Sequence, residues 1–259
     1  ARRFPEIVRE MESAGHETGT HSLYHETVGD SLFEIPGTYP LLPEEVQPRI
    51  KLATDILEDI VGHKVVSWRC PRLFGGTHVT NALEELGYEC DATYPMYFYN
   101  EQLFPYHPSQ ENWTEQGSLN LIEIIQFADM GMESKDDYGR DKDQWPLYRT
   151  QSTEAFIPHI ESFMSYLEKN DQSQKPIVLC FYFHPWEFWE MPEGVIHYGE
   201  GGVMPDPFLT KGCGKYCLNQ VELLIDWLKS KDATFLTAGQ CARKWKNILA
   251  KPDIKRTQR

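Results

Sequence analysis

The sequence is short of positive charge and lacks any long apolar segment. Its 259 residues include 25 Lys and Arg against 39 Asp and Glu, which gives a net charge of −14. Binding of nucleic acid through its phosphates needs a basic surface, so we expect no nucleic-acid partner. No apolar run approaches the ~20 residues of a transmembrane helix. We therefore expect no membrane segment, and no signal peptide is apparent.

The six cysteines do not have the pattern of a structural zinc site. Cys213 and Cys217 are spaced C-x-x-x-C among glycines, but such a site needs a second pair. A local disulfide or two free thiols therefore stay open for these two residues. The cysteine count does not fix the compartment, although the cytoplasm is favoured over secretion. Nothing in the sequence sets the oligomeric state.

Helical and extended segments alternate along the chain. Apolar residues recur at helical spacing in residues 4–14, 43–61, 79–86, 153–169, 218–230 and 239–249. Short apolar runs predict strands at 16–20, 64–68, 88–90, 118–127, 176–183 and 233–237. This alternation predicts an α/β fold with a parallel sheet and, at this length, a barrel of the (β/α) type.

We expect a single domain over residues 1–249 and a polar tail over 250–259. Three stretches interrupt the alternation, at 94–117, 128–152 and 185–217. Their aromatic residues argue against disorder, so they are interpreted as excursions from the barrel.

Ionisable side chains follow four of the predicted strands. His21 and His25 follow strand 16–20, and a spacing of four would place both imidazoles on one face of a helical turn, within reach of one metal ion. Arg69, Asp91 and His184 end three further strands. In (β/α) barrels the catalytic residues lie at the carboxyl ends of the strands. We therefore expect all five residues at one rim of the barrel.

The segments around these residues resemble the motifs of the polysaccharide deacetylase family, which is carbohydrate esterase family 4 or the NodB homology domain. GHETGTHSLYH is similar to the family's histidine motif and SWRCPRLFGG to its R-x-P motif. GYECDATYP is similar to the segment with its later aspartate, and CFYFHPWEF to the motif that ends its last catalytic strand. The resemblance spans residues 4–245 and implies a distorted (β/α) barrel, incomplete at its amino end.

The resemblance also implies an activity, the hydrolysis of an acetyl group, usually N-acetyl, from a carbohydrate. His21 and His25 would bind a divalent metal, for which zinc is favoured and cobalt, nickel or manganese stay open. His184 would be the general acid, and Asp91 would pair with it and stabilise its protonated form. Arg69 would orient the carboxylate that acts as base.

The expected partner is an acetylated sugar or polysaccharide, with Trp186 and Pro71 as residues that contact it. Stacking of Trp186 on a sugar ring is one interpretation of this side chain, and simple packing within a long loop is an equally good one.

One motif of the family is not found in this sequence. Two neighbouring aspartates precede the family's histidine motif and provide the third metal ligand and the catalytic base. Here 20 residues precede His21, and none of them is Asp. Asp136 and Asp137 lie far downstream and do not follow an apolar strand, so they are not assigned this role.

Three interpretations of this departure stay open. The chain could be shortened, it could be an inactive relative, or another acid such as Glu17, Glu123 or Glu187 could be recruited. We favour a shortened chain, because loss of a central strand leaves backbone groups of its neighbours unpaired. Residues 1–259 alone are then expected to be poorly stable or inactive. Alternative functions are hydrolysis of small cyclic amides on the same fold and carbohydrate binding without turnover.

Overall fold

The computed structural model describes residues 1–149, 151–171, 173–192 and 194–250. The chain folds as two compact units. The first consists of Ala1–Gln126 and the segment that begins at Leu236, and the second is Phe127–Phe235. Within the described residues, no helix combines the length and the apolar character needed to span a membrane. The predicted polar tail lies outside the described residues, apart from Ala250.

All six predicted helices are present, with bounds close to those expected. The helices are α1 Pro5–Ser13, α2 Pro43–Val61, α3 Thr77–Glu85, α4 Met96–Tyr99, α5 Gln144–Arg149, α6 Thr153–Asn170, α7 Pro207–Thr210, α8 Lys215–Ser230 and α9 Ala238–Leu249. α2 shows why the bounds were predictable. Pro43 occupies its first turn, where no backbone donor is needed, and Gly62 ends it with a left-handed φ of 79°.

The first unit contains a parallel sheet in which chain order and spatial order agree. Its strands are β1 Ser67–Trp68, β2 Cys90–Asp91 and β3 Ile122–Glu123, in the order β1-β2-β3. Thr20 adds an isolated parallel bridge to Trp68, beside β1. The predicted parallel α/β arrangement is confirmed, although the strands are much shorter than expected and no closed sheet forms among the described residues.

A buried apolar cluster is formed by side chains from β1, α2, α3 and the segments next to them. α2 packs against α1 and α3, and α9 contacts β2 and β3. The cluster consists of Val28, Val46, Ile50, Val65, Trp68, Cys70, Val79, Ala82, Leu83, Tyr88, Leu119 and Leu121. It holds the ends of β1 and β2 in place, and the candidate site residues of this unit begin directly after those strands.

The second unit is built from helices, an aromatic core and a short hairpin. α6 contacts α5 and α8, and the antiparallel strands β4 Ile196–Tyr198 and β5 Gly201–Val203 form the hairpin. The core rings are Phe127, Tyr148, Phe156, Phe163 and Phe181. The hairpin lies inside the predicted excursion 185–217.

Three of the predicted strands do not form in the described part of the chain. Residues 176–183 form no regular secondary structure, although Phe127 N donates to Cys180 O (3.1 Å). Residues 233–236 are exposed and form no regular secondary structure, and the predicted strand 16–20 is reduced to the bridge at Thr20. Local apolarity favours an extended backbone, but a strand also needs a neighbour with which to form a ladder.

Candidate functional site

His21 and His25 lie on an irregular turn directly after Thr20. Their ring centroids are 5.0 Å apart and the rings meet edge to face. The predicted helical turn is wrong, because the backbones of Ser22 and His25 are left-handed, each with a φ of 61°. The predicted proximity is nevertheless present, so both imidazoles can face one ion.

The carboxylate of Glu26 organises this turn. It accepts hydrogen bonds from Ser22 Oγ and from Tyr24 N, both at 2.7 Å, and pairs with Arg49 at 3.3 Å. Arg72 Nη1 donates to the carbonyl of His25 (3.1 Å) from the other side. The turn is therefore held by contacts to two other segments of the first unit. These contacts offset the conformational cost of the left-handed backbone at Ser22 and His25.

His21 has the orientation of a metal-binding imidazole. Its Nδ1 lies 2.8 Å from the carbonyl oxygen of Arg69. A carbonyl oxygen only accepts hydrogen bonds, so Nδ1 carries the proton and the lone pair is on Nε2. Histidines that bind a metal through Nε2 usually donate from Nδ1 to a carbonyl or carboxylate in this way.

The two imidazoles fit a first-row divalent ion as two of its ligands. No group of three or more His, Cys, Asp or Glu side chains suited to a metal occurs among the described residues. The donor set of this part of the chain is therefore a histidine pair that needs a further ligand, and the metal assignment stays a prediction.

Arg69 extends from the end of β1 across to the next strands. Its Nε donates to the carbonyl of Ala92 (2.8 Å), and its Nη2 donates to Gln126 Oε1 (3.1 Å). Pro71 follows as the first residue of a buried 3-10 turn. Burial leaves little of the Pro71 ring for a sugar to contact, and its substrate role stays a prediction.

Asp91 and Glu123 form a pair of carboxyl groups inside the first unit. They are register partners on β2 and β3, and both are completely buried. Asp91 Oδ1 accepts from the hydroxyl of Thr93. Glu123 Oε1 accepts from the backbone N–H groups of Thr93 (3.1 Å) and Tyr94 (2.7 Å). Register partners on neighbouring strands point to the same face, which brings the two carboxyl groups together.

Burial changes the protonation of this pair. It raises the pKa of Asp91 to about 7, against the opposing effects of hydrogen bonds from Thr93 and Glu123 and of the positive charge on Arg69. Burial and the adjacent Asp91 charge raise the pKa of Glu123 well above its usual value. Two adjacent charges without water are costly, so the pair holds a shared proton more tightly than an isolated carboxyl group would. Since Asp91 is enclosed, it has no direct access to a substrate, and its catalytic role stays a prediction.

His184, in the second unit, has a different partner from the one that the sequence suggested. Its Nδ1 lies 2.9 Å from Glu187 Oε1, and its backbone N–H donates to the same oxygen (2.8 Å). Glu187 is only 2% exposed, whereas the His184 side chain is 39% exposed. Asp91 belongs to the other unit, and the predicted Asp91–His184 pairing stays a prediction.

Aromatic side chains surround the His184 ring. Trp186 stacks on it, with centroids 5.3 Å apart and an interplanar angle of 21°. Trp145 and Tyr182 present their edges at 5.7 Å and 5.9 Å. Tyr182 is itself held by a hydrogen bond from its hydroxyl to Asp143. Trp186 therefore packs on His184, and contact with a sugar remains a prediction for it.

Three acids that the sequence offered only as alternative bases all have defined positions in the structure. Glu123 is an acidic residue inside an apolar strand, a pattern that indicates a buried carboxyl with a partner. Glu187 follows His184 by three residues after a proline, which is the spacing of a helix capping box. Glu17, the third candidate, accepts from Thr237 Oγ1 (2.8 Å) and Gly239 N (3.0 Å) at the start of α9 and is fully engaged there.

Comparison with known proteins connects this chain to polysaccharide deacetylases. The family model for polysaccharide deacetylase matches residues 1–90, which contain the histidine turn, Arg69 and Pro71. No curated protein matches the chain. The predicted resemblance to this family is confirmed.

Solved structures with similar folds support the barrel type. A structure assigned as a polysaccharide deacetylase from Pseudomonas aeruginosa PAO1 has a TM-score of 0.55 at 17% identity, covering 95% of this chain and 65% of that one. A Puue allantoinase has a TM-score of 0.55 at 15% identity, with 97% and 66% covered. One assigned as a polysaccharide deacetylase from Mycobacterium smegmatis has 0.52 at 17% identity, with 98% and 71% covered. The chain thus has the fold of these proteins and spans about two thirds of their length.

Proposed function

We propose that this chain provides part of the active site of a metal-dependent hydrolase that removes acetyl groups, most readily N-acetyl groups, from a carbohydrate. The observation that carries the proposal is the histidine pair. Its ring centroids lie 5.0 Å apart in an edge-to-face arrangement, and the ring of His21 is oriented by the carbonyl of Arg69, a residue of the R-x-P motif. The match of the family model over residues 1–90 supports the same activity.

Each candidate residue has a chemical task in this proposal. His21 and His25 would hold a divalent metal, with zinc favoured over cobalt, nickel and manganese. When bound, such an ion makes water a better nucleophile and polarises the acetyl carbonyl. His184 would donate a proton to the leaving amine or alcohol.

Arg69 adds positive charge beside the buried carboxyl pair. Its guanidinium is fixed through Ala92 and Gln126. A planar group fixed at two of its nitrogens can orient a carboxylate with little further loss of entropy. The base carboxylate itself is not assigned, because Asp91 and Glu123 are enclosed and Glu17 is engaged with α9.

The test is an acetate-release assay on the protein in its full natural length. Chitin oligomers, peptidoglycan fragments, acetylated xylan and a small cyclic amide would be offered in parallel, with and without a chelator. Release of acetate from a sugar that stops on chelation supports the proposal. Opening of the cyclic amide alone, or sugar binding without turnover, would instead favour the alternatives.

A further inference from the structure

The contact between His184 and Glu187 fixes both the backbone and the ring of the histidine. One carboxylate oxygen, Glu187 Oε1, accepts from the backbone N–H at 2.8 Å and lies 2.9 Å from Nδ1. Glu187 is held in turn inside the 3-10 helix Pro185–Phe188 and is buried, whereas the histidine ring is partly exposed. The partly exposed imidazole of His184 is thus hydrogen-bonded to the buried carboxylate of Glu187.

This contact also determines which ring nitrogen is available for chemistry. A carboxylate accepts hydrogen bonds and donates none, so the Nδ1 atom must carry a proton. Nε2 lies on the opposite side of the five-membered ring. Stacking on Trp186 and the edge of Trp145 limit rotation of the ring. Nε2 is therefore the ring nitrogen that is turned away from Glu187.

We propose that Glu187 is the positioning residue for His184, setting its tautomer and ring orientation so that Nε2 exchanges the proton with the substrate. This inference rests on the proposed hydrolase function. It differs from recruitment of Glu187 as the base, because a carboxyl group that is 2% exposed acts on a substrate only through the imidazole. The arrangement is local, since both partners lie within the four residues 184–187.

The first experiment records the tautomer of His184 by ¹⁵N NMR in the full-length protein above pH 8, where an ordinary imidazole is neutral. Wild type is expected to hold the proton on Nδ1. Glu187→Gln keeps an acceptor oxygen of the same shape and should keep that tautomer. Glu187→Ala removes the acceptor and should shift His184 to the Nε2-protonated form that free histidine favours. Retention of the Nδ1 proton in Glu187→Ala would overturn the proposal.

The second experiment measures turnover with Glu190→Ala as the matched control, because Glu190 is exposed and three residues away. Glu187→Ala removes the acceptor that fixes the tautomer and the ring orientation of His184, so kcat should fall roughly 10²-fold with KM changed less than about twofold. Glu190→Ala should leave both constants unchanged. Equal kcat in the two variants would contradict the positioning role. If wild type releases no acetate, the proposed function fails, while the tautomer series still decides the role of Glu187.

Discussion

The two units of the molecule hold their reactive groups in opposite ways. The first unit encloses the Asp91 and Glu123 carboxyl groups on neighbouring strands that are distant in sequence. The second unit keeps the His184 imidazole partly exposed and fixes it through Glu187, three residues later. Burial strongly changes the proton affinity of the carboxyl pair, whereas the local contact sets the direction of the imidazole.

The carboxyl pair and the His184–Glu187 contact depend on different parts of the fold. The carboxyl pair depends on correct register between β2 and β3, so any change that loosens the sheet exposes it to water. The His184–Glu187 contact depends on one 3-10 turn and its aromatic neighbours. Changes in the first unit should therefore affect stability and metal binding, and changes around His184 should affect turnover.

The largest effect is expected from His21→Ala or His25→Ala, each of which removes one of the two imidazoles proposed to bind the metal. Metal affinity should fall ~10³-fold, since a protein ligand contributes several kcal/mol to the binding of a first-row ion. Isothermal titration with Zn²⁺ and metal analysis would measure it. His16→Ala is the matched control because His16 is exposed nearby, and His184→Ala should lower turnover with metal content unchanged. Full metal content in His21→Ala would show that the ligand assignment is wrong.

A smaller effect is expected on truncating the buried pair. Glu123→Ala leaves the N–H groups of Thr93 and Tyr94 without their acceptor, and unfolding free energy should drop by about 3 kcal/mol. Glu123→Gln keeps an acceptor oxygen and should lose less than about 1 kcal/mol. Urea denaturation at pH 6 measures both. Similar losses in the two variants would contradict the acceptor role, because Gln keeps an oxygen in that place and leaves no cavity.

The raised pKa of Asp91 predicts a specific dependence of stability on pH. Between pH ~4 and ~7 the folded chain binds more protons at Asp91 than the unfolded chain, because its folded pKa is about 7 and its unfolded value is 3.8. Stability should therefore fall as pH rises, by roughly 2 kcal/mol from pH 5 to pH 7. Urea denaturation of wild type and Asp91→Asn at both values isolates this effect. An equal pH dependence in the two proteins would refute it.

The smallest effects are expected at helix caps, where the two units can be compared directly. Ser152 Oγ accepts from Ala155 N at the start of α6, and Ser152→Ala should cost about 1 kcal/mol. Thr237 Oγ1 accepts from Gln240 N at α9 and also donates to Glu17. Thr237→Ala should lower the free energy of unfolding by about 1 kcal/mol more than Ser152→Ala does, because it also removes the hydrogen bond to Glu17. Thermal unfolding would rank them, and the reverse order would show that the Glu17 contact is not stabilising.

Local features of the sequence account for what could be predicted. Pro43 and Gly62 mark the ends of α2, and the spacing of His21 and His25 predicted their proximity even though the turn is not helical. The Glu187 contact is equally local and could have been predicted from the capping-box spacing after His184. In these cases the decisive contacts lie within a few residues of each other.

Features that depend on distant partners were not predictable in the same way. The apolar run 176–183 predicted a strand, but strand formation requires a neighbouring ladder that the run itself does not encode. The Asp91–Glu123 pair depends on the register between two strands, which one sequence does not set. Its raised pKa follows from burial, and burial depends on how the whole unit packs.

The central claim is that the histidine pair holds the ion on which acetyl hydrolysis depends. The most direct measurement is a titration of metal-free, full-length protein with Zn²⁺, in which bound metal and acetate release are followed together. The account predicts that turnover rises in step with binding and saturates at a single ion per chain, and that a His21→Ala, His25→Ala double variant stays inactive throughout. Turnover that is indifferent to added metal, or a double variant that matches wild type, would contradict it.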